Sequence, residues 1–264
     1  MPNNSQNQSA SARGNVNRRR FLQTTGTAGA AIALSTAAAN SANAQSSLSP
    51  RVEQHMVEPQ LGERPFLHGV ASGDPIPDSV ILWTRVTPDA DAMPGSGLGE
   101  ATRVEWEIAK DEGFGDVVKQ GEVTTDANQD HTVHVDPHGL EPETVYFYRF
   151  KAQDKYSPIG RTKTAPALSA SPEELTFGVA SCANWESGFF NAYGDIAQRG
   201  RADQLDYMIF LGDYIYEYPQ REYAGYGPVR LHHPAHEIVS LQDYRVRYGR
   251  YRTDAHLQAA HGAA

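Results

Sequence analysis

Leu175-Thr176-Phe177-Gly178-Val179-Ala180-Ser181-Cys182 and Tyr207-Met208-Ile209-Phe210-Leu211-Gly212-Asp213-Tyr214-Ile215-Tyr216 are two apolar runs that each stop at a turn. Neither run alternates, as expected of strands whose sheet is covered by helices on both faces. Between them Phe189, Tyr193 and Ile196 recur at helical spacing, in an element that closes near Arg199-Gly200. Strand, helix, strand over this length is a βαβ unit, so the strands are predicted to be parallel with a right-handed crossover. Cys182 and Asp213 then fall just past the carboxyl ends of their strands, the edge where α/β folds hold ligands. Gly212 permits close backbone approach, and Tyr216 can reach the same point. A thiolate, a carboxylate and a phenolate together suit iron or zinc better than magnesium alone. Taken singly, each has a plainer reading: a strand-end cysteine is usually a small buried hydrophobe, Gly-Asp is as often a turn, and Tyr214, Tyr216 and Tyr218 alternate as an aromatic strand extension would.

Upstream the pattern changes. A linker rich in Ser, Ala and Pro (165–172) separates the βαβ unit from a region, Phe66 to Pro166, of short alternating runs punctuated by Gly, Pro and Asp. Val104, Trp106 and Ile108 share one face while Arg103, Glu105 and Glu107 share the other. Val80–Val86, the stretch around Val117–Val123, Thr132–Val135 and Val145–Ala152 read the same way. Six or seven strands in this span indicate an immunoglobulin-like or fibronectin type III-like β-sandwich. Leu140-Glu141-Pro142-Glu143-Thr144-Val145-Tyr146 resembles the tyrosine corner of fibronectin modules, with the Tyr146 hydroxyl bonding back to the backbone. Gly73-Asp74-Pro75 reads as a turn entering the Val80 strand. His131, His134 and His138 read as half-exposed packing residues rather than a metal site.

The residues that end the two apolar strands carry a family resemblance. Ser181-Cys182 and Gly212-Asp213-Tyr214-Ile215-Tyr216-Glu217 resemble the matching segments of PhoD-like alkaline phosphatases, and Asp213 to Tyr216 is also similar to the Gly-Asp-x-x-Tyr element of purple acid phosphatases. Phe66-Leu67-His68-Gly69-Val70-Ala71-Ser72-Gly73-Asp74-Pro75, leading into Val80-Ile81-Leu82-Trp83-Thr84-Arg85, resembles the opening of the PhoD amino-terminal domain. The resemblance implies a fibronectin-like sandwich (65–166) followed by the amino-terminal part of an α/β metallophosphoesterase sandwich (172–264). It implies Cys182, Asp213 and Tyr216 as ligands of an iron centre, with calcium as a further family metal. The activity implied is hydrolysis of phosphomonoesters or phosphodiesters by a metal-bound hydroxide. The family's Trp-Asp-Asp-His-Glu motif is expected to follow the last segment and does not occur in these 264 residues, so the chain is expected to be a C-terminally truncated, inactive form.

Residues 1–44 are expected to be an export signal. Asn17-Arg18-Arg19-Arg20-Phe21-Leu22-Gln23, a mild apolar stretch and Ala42-Asn43-Ala44 resemble a twin-arginine signal with its cleavage site, and 45–64 reads as a linker. The expected partner is the twin-arginine export machinery, and the destination is the periplasm or the exterior. The apolar stretch is too polar for a spanning helix. Removal of 1–44 leaves 19 basic and 32 acidic residues, a balance that argues against a nucleic-acid or anionic-membrane surface. The mature chain is expected to be a monomer acting on phosphoester substrates. Cys182 is the only cysteine, so no internal disulfide forms.

Two further segments carry expectations. Leu231-His232-His233-Pro234-Ala235-His236-Glu237 is read as loop surface, because Pro234 breaks any helix that would aim its histidines together. The largely helical stretch from Leu241 to His261 carries Arg245, Arg247, Arg250 and Arg252, read as a solvated face paired with the acidic body rather than as phosphate ligands. The alternative to an enzyme is an exported binding module acting through its fibronectin-like domain.

Overall fold

The computed structural model describes residues 63–263, so the expected signal segment (1–44) and most of the linker lie outside the described residues. From Val70 to Lys163 the chain forms eight strands: β1 (Val70–Ile76), β2 (Ser79–Arg85), β3 (Thr102–Ala109), β4 (Val117–Thr125), β5 (Thr132–Val135), β6 (Val145–Ala152), β7 (Lys155–Tyr156) and β8 (Gly160–Lys163). All pair antiparallel, in one sheet ordered β1-β2-β5 and a second built on β4-β3-β6-β7 with β8 also against β6. Inward residues of both sheets meet in one apolar cluster, including Val80 and Leu82 from β2, Val104 and Ile108 from β3, Val133 from β5, and Tyr146, Tyr148 and Phe150 from β6. The strict alternation of β6, half-buried then buried throughout, is the period-2 pattern of a strand with one face on the core.

Gly73-Asp74-Pro75 is not the turn it was expected to be. It lies within β1, where the register against β2 shifts between Gly73 and Ile76 and Asp74 takes a φ of 48°. Such an irregularity bends the strand rather than ending it; the turn itself is at Pro77-Asp78. At Gly160 a glycine is required, because an added Cβ would sit 2.2 Å from Cζ of Tyr148 across the strand.

The Tyr146 hydroxyl accepts the Glu141 backbone N–H at 2.9 Å, closing the corner expected from the sequence. Tyr146 is buried, so removing the hydroxyl leaves that N–H without its acceptor. Tyr146→Phe is expected to lower stability by about 1 kcal/mol, seen as a lower urea midpoint at unchanged slope. An unshifted midpoint would show that the corner contributes nothing.

Past the linker come β9 (Phe177–Ala180), helix α1 (Asn191–Arg201), β10 (Tyr207–Phe210), helix α2 (Leu241–Tyr251) and helix α3 (Ala255–His261). β9 and β10 pair in parallel, Phe177 opposite Tyr207 through Ala180 opposite Phe210. α1 covers the inner face with Tyr193 and Ala197, and Phe190 just before the helix fills the space expected of Phe189, which is exposed. A second cluster forms there from Ala183, Trp185, Phe190, Tyr193, Tyr251, Leu257 and Ala260. The expectation of two covered faces fails: Phe177, Val179 and Ile209 are exposed on the opposite side. The uninterrupted apolar run therefore reports composition rather than burial in this chain.

The sandwich and the βαβ unit join through polar contacts. Arg252 donates to the carbonyls of His68 and Val70 at 3.2 Å, Gln258 to the carbonyl of Leu67 at 3.0 Å, and Lys163 pairs with Asp206 at 2.5 Å. Among the described residues no helix is long and apolar enough to cross a membrane.

Candidate functional site

The backbone at the tips of β9 and β10 brings Cys182 and Asp213 together. The ladder continues past both strands: Leu211 N–H donates to the Ala180 carbonyl, Cys182 N–H to Gly212 at 3.1 Å, and Ala183 N–H to Asp213 at 2.9 Å. To make this turn, Gly212 takes a φ of 121°, and Cys182 and Asp213 take 58° and 53°. A left-handed backbone costs a non-glycine residue about 1–3 kcal/mol and persists only where its surroundings enforce it. Two such residues face one another here.

Their side chains converge with that of Tyr216. Cys182 Sγ donates to Asp213 Oδ2 at 3.5 Å, and the Tyr216 hydroxyl donates to the same oxygen at 3.3 Å. Cys182 and Asp213 are exposed and Tyr216 is half-buried. Partial burial, then the adjoining Cys182 and Asp213, push the Tyr216 hydroxyl above the ordinary phenol range. Beside Cys182 an open hollow of about 480 Å³ is lined by Ser181, Asn184, Phe190 and Tyr193. Burial, followed by the nearby Cys182 and Asp254, raises the Tyr193 hydroxyl to about 12.

Three buried polar residues outside the expected set hold the long loop that carries Tyr216. Arg247, fully buried on α2, donates to the carbonyls of Tyr216, Tyr218 (3.2 Å), His233 (3.2 Å) and Pro234 (3.1 Å). Glu186 accepts the N–H groups of Arg221 at 2.7 Å and His232 at 3.0 Å. Arg230 pairs with Asp254 at 2.6 Å and lies 3.6 Å over the ring of Trp185. The reading of Arg245, Arg247, Arg250 and Arg252 as a solvated face is thus overturned for Arg247 and Arg252, both buried as carbonyl donors. The signal for Arg247 was its i, i+4 spacing to Tyr251, which shares its buried face.

The histidine segments resolve differently from one another. Residues 231–237 form a loop, as expected, with His236 exposed against Asp243 at 3.1 Å, but His232 is buried and stacked on Tyr251. His131 is buried, not half-exposed, and its Nε2 lies 2.8 Å from the Leu98 carbonyl. His134 and His138 are exposed. Among the described residues no group of three or more His, Cys, Asp and Glu side chains is arranged to hold a metal ion. The donor set at the strand tips reaches three only by counting the phenol.

The chain thus carries a β-rich body of antiparallel sheets followed by a parallel pair with a carboxylate at its tip. A family model described as "PhoD-like phosphatase, N-terminal domain" matches residues 50–166, and one described as "PhoD-like phosphatase" matches 177–264. The chain belongs to the PhoD-like phosphatase family. It is 48% identical over 207 residues to alkaline phosphatase D of Bacillus subtilis (strain 168), an alignment covering 78% of this chain and 34% of that protein. The solved structure of PhoD superposes with a TM-score of 0.70 at 47% identity, covering 78% of this chain and 38% of that one. The chain thus spans about a third of the length of the curated relative it matches.

Proposed function

We propose that this chain contributes the first metal-binding edge of an exported phosphoester hydrolase, in which Cys182, Asp213 and Tyr216 hold an iron ion. The single observation that carries the reading is the convergence of a thiol and a phenol on one carboxylate oxygen. Both groups spend their protons on Asp213 Oδ2, so one cation replacing those two protons would meet sulfur and oxygen donors already gathered. That donor chemistry fits iron. Calcium takes about 6–8 oxygens, a set the described residues do not gather. Bound there, the metal would supply Lewis-acid activation of water and of the phosphoryl group. The chain's own part is positional: the crossed ladder of β9 and β10 fixes Cys182 against Asp213, and Arg247 fixes the backbone of Tyr216. The antiparallel sheets before it form the fibronectin-like module of this reading. The twin-arginine segment would deliver the protein to the periplasm or beyond.

Loss of an outer partner already lowers metal affinity about 10–100-fold, so loss of a direct donor should lower it at least as much. Cys182→Ser and Asp213→Asn are therefore each expected to reduce iron uptake by roughly tenfold or more while leaving the circular dichroism spectrum unchanged. Iron titration of the purified chain checks this, with hydrolysis of p-nitrophenyl phosphate and bis(p-nitrophenyl) phosphate measured alongside. Equal uptake by wild type and both variants would remove these residues from the metal.

A further inference from the structure

Three tyrosine rings continue outward from the donor cluster without serving either apolar core. Tyr216 and Tyr218 stack at 6.3 Å between centroids with 25° between planes, Tyr216 and Tyr223 lie 5.3 Å apart, and Tyr218 and Tyr223 stack at 4.8 Å and 30°. None of the three joins the cluster around Trp185, although Tyr214 and Ile215 beside them do. Tyr223 is 52% exposed. A turn brings it back, with Glu222 N–H reaching the Pro219 carbonyl.

The platform is held by buried or half-buried partners, not by its own rings. Arg247 takes the carbonyls of Tyr216 and Tyr218 from below. The Asn184 side-chain amide donates to the Tyr223 carbonyl at 2.7 Å, and the Asn184 backbone N–H in turn donates to Cys182 at 3.0 Å. The most exposed ring is thereby tied to the same strand tip as the thiol. Aromatic surface fixed in advance binds a flat partner with little further loss of conformational freedom, and flat rings offer their faces to one another in offset or tilted contacts.

We propose that Tyr216, Tyr218 and Tyr223 form a leaving-group subsite that accepts the planar aromatic ring, nucleobase or aryl, of a phosphoester's alcohol. This rests on the assignment of the phosphoryl position to the cluster of Cys182, Asp213 and Tyr216. A phosphorus atom held at Asp213 has the Tyr216 ring as its immediate neighbour, and the rings of Tyr218 and Tyr223 continue from it at stacking distance. An ester whose alcohol is a short aliphatic polyol has no ring to lay there.

The ring subsite is testable without phosphate or metal. The full chain, with ring-labelled tyrosine, is titrated with adenosine, with methyl glucoside and with glycerol while the tyrosine NMR signals are followed. Adenosine is expected to shift the Tyr218 and Tyr223 signals, and Tyr223→Ala to weaken its binding about fivefold or more, the lower end of what loss of one base-stacking ring does. Tyr223→Leu, which keeps apolar bulk but not the flat face, is expected to weaken it as well. Iron uptake should be unchanged in both variants, because Tyr223 donates nothing to the cluster. No shift with adenosine, equal binding by wild type and Tyr223→Ala, or methyl glucoside binding as tightly as adenosine would each overturn the subsite. Failure of the wild type to take up iron would instead count against the metal assignment and leave the ring result standing.

Discussion

Asp254→Asn is expected to destabilise the chain by about 3–5 kcal/mol, because it removes one half of a buried ion pair and leaves the other. Asp254 Oδ2 meets Arg230 Nη1 at 2.6 Å, with the two side chains only 8% and 4% exposed. Burial lowers the pKa of Arg230, and the Asp254 carboxylate opposes that shift. The guanidinium packs against the rings of Trp185 and Phe190, at 3.6 and 4.4 Å, and Arg230 is only 4% exposed, so little solvent is at hand to replace the lost charge. One of its nitrogens, Nη2, already lacks a hydrogen-bond partner among the described residues. Asp254 also caps α3, accepting the Leu257 N–H at 3.0 Å. Asparagine can keep that cap, so Asp254→Ala should lose about a further 1 kcal/mol. Urea unfolding checks both, and a loss below about 1 kcal/mol for Asp254→Asn would mean that Arg230 relaxes to solvent. The double variant Arg230→Met with Asp254→Leu should recover part of the loss, since an apolar pair replaces the stranded cation.

The second large effect is acid lability. Burial is the main cause that lowers the pKa of His68, His232 and His261, and nearby arginines reinforce it: Arg85 and Arg252 near His68, Arg247, Arg230 and Arg250 near His232, and Arg252 near His261. His232 falls to about 3, and the other two fall well below the usual 6.5. Each imidazole stays neutral in the folded chain at a pH where the unfolded chain protonates it. The unfolded state therefore binds more protons, and stability present above about pH 6.5 is lost as the pH falls below that value. Each such proton contributes about 1.4 kcal/mol per pH unit, so His232 steepens the slope by about that much near pH 5 and His68 and His261 act in the same direction. Unfolding free energies measured between pH 7.5 and pH 5 test this. His232→Gln should flatten the slope by about one proton's share, and an unchanged slope would mean that His232 is already protonated in the folded state.

The legible parts of this molecule were those that local rules decide. Alternation gave β5 and β6 their limits, the Leu140 to Tyr146 corner was readable from its resemblance to the tyrosine corner of fibronectin modules, and the parallel pairing of β9 and β10 followed from one helix between two apolar runs. The gathering of Cys182, Asp213 and Tyr216 was legible for the same reason, since each sits at or just beyond a strand end. What could not be read depended on partners remote in sequence. Arg247 looks like one of four basic residues on a helix, and only its four carbonyl acceptors, 13 to 31 residues away, make it internal. Phe189 and Phe190 are adjacent aromatics, and the choice of which to bury was made by Trp185 and Tyr251. The bare face of Phe177, Val179 and Ile209 looks the same in sequence as a covered one.

The left-handed backbone at Cys182 and Asp213 has a consequence for any attempt to improve the protein. Glycine adopts that conformation without the penalty a side chain incurs, so Cys182→Gly would release strain at the same moment that it deletes the thiol. A library ranked by folded yield alone would reward that exchange and drift toward a sturdier chain with no donor cluster. If Cys182 holds the metal as proposed, only a screen that also scores metal content would keep it, which makes position 182 a marker for whether a variant collection was selected for endurance or for chemistry.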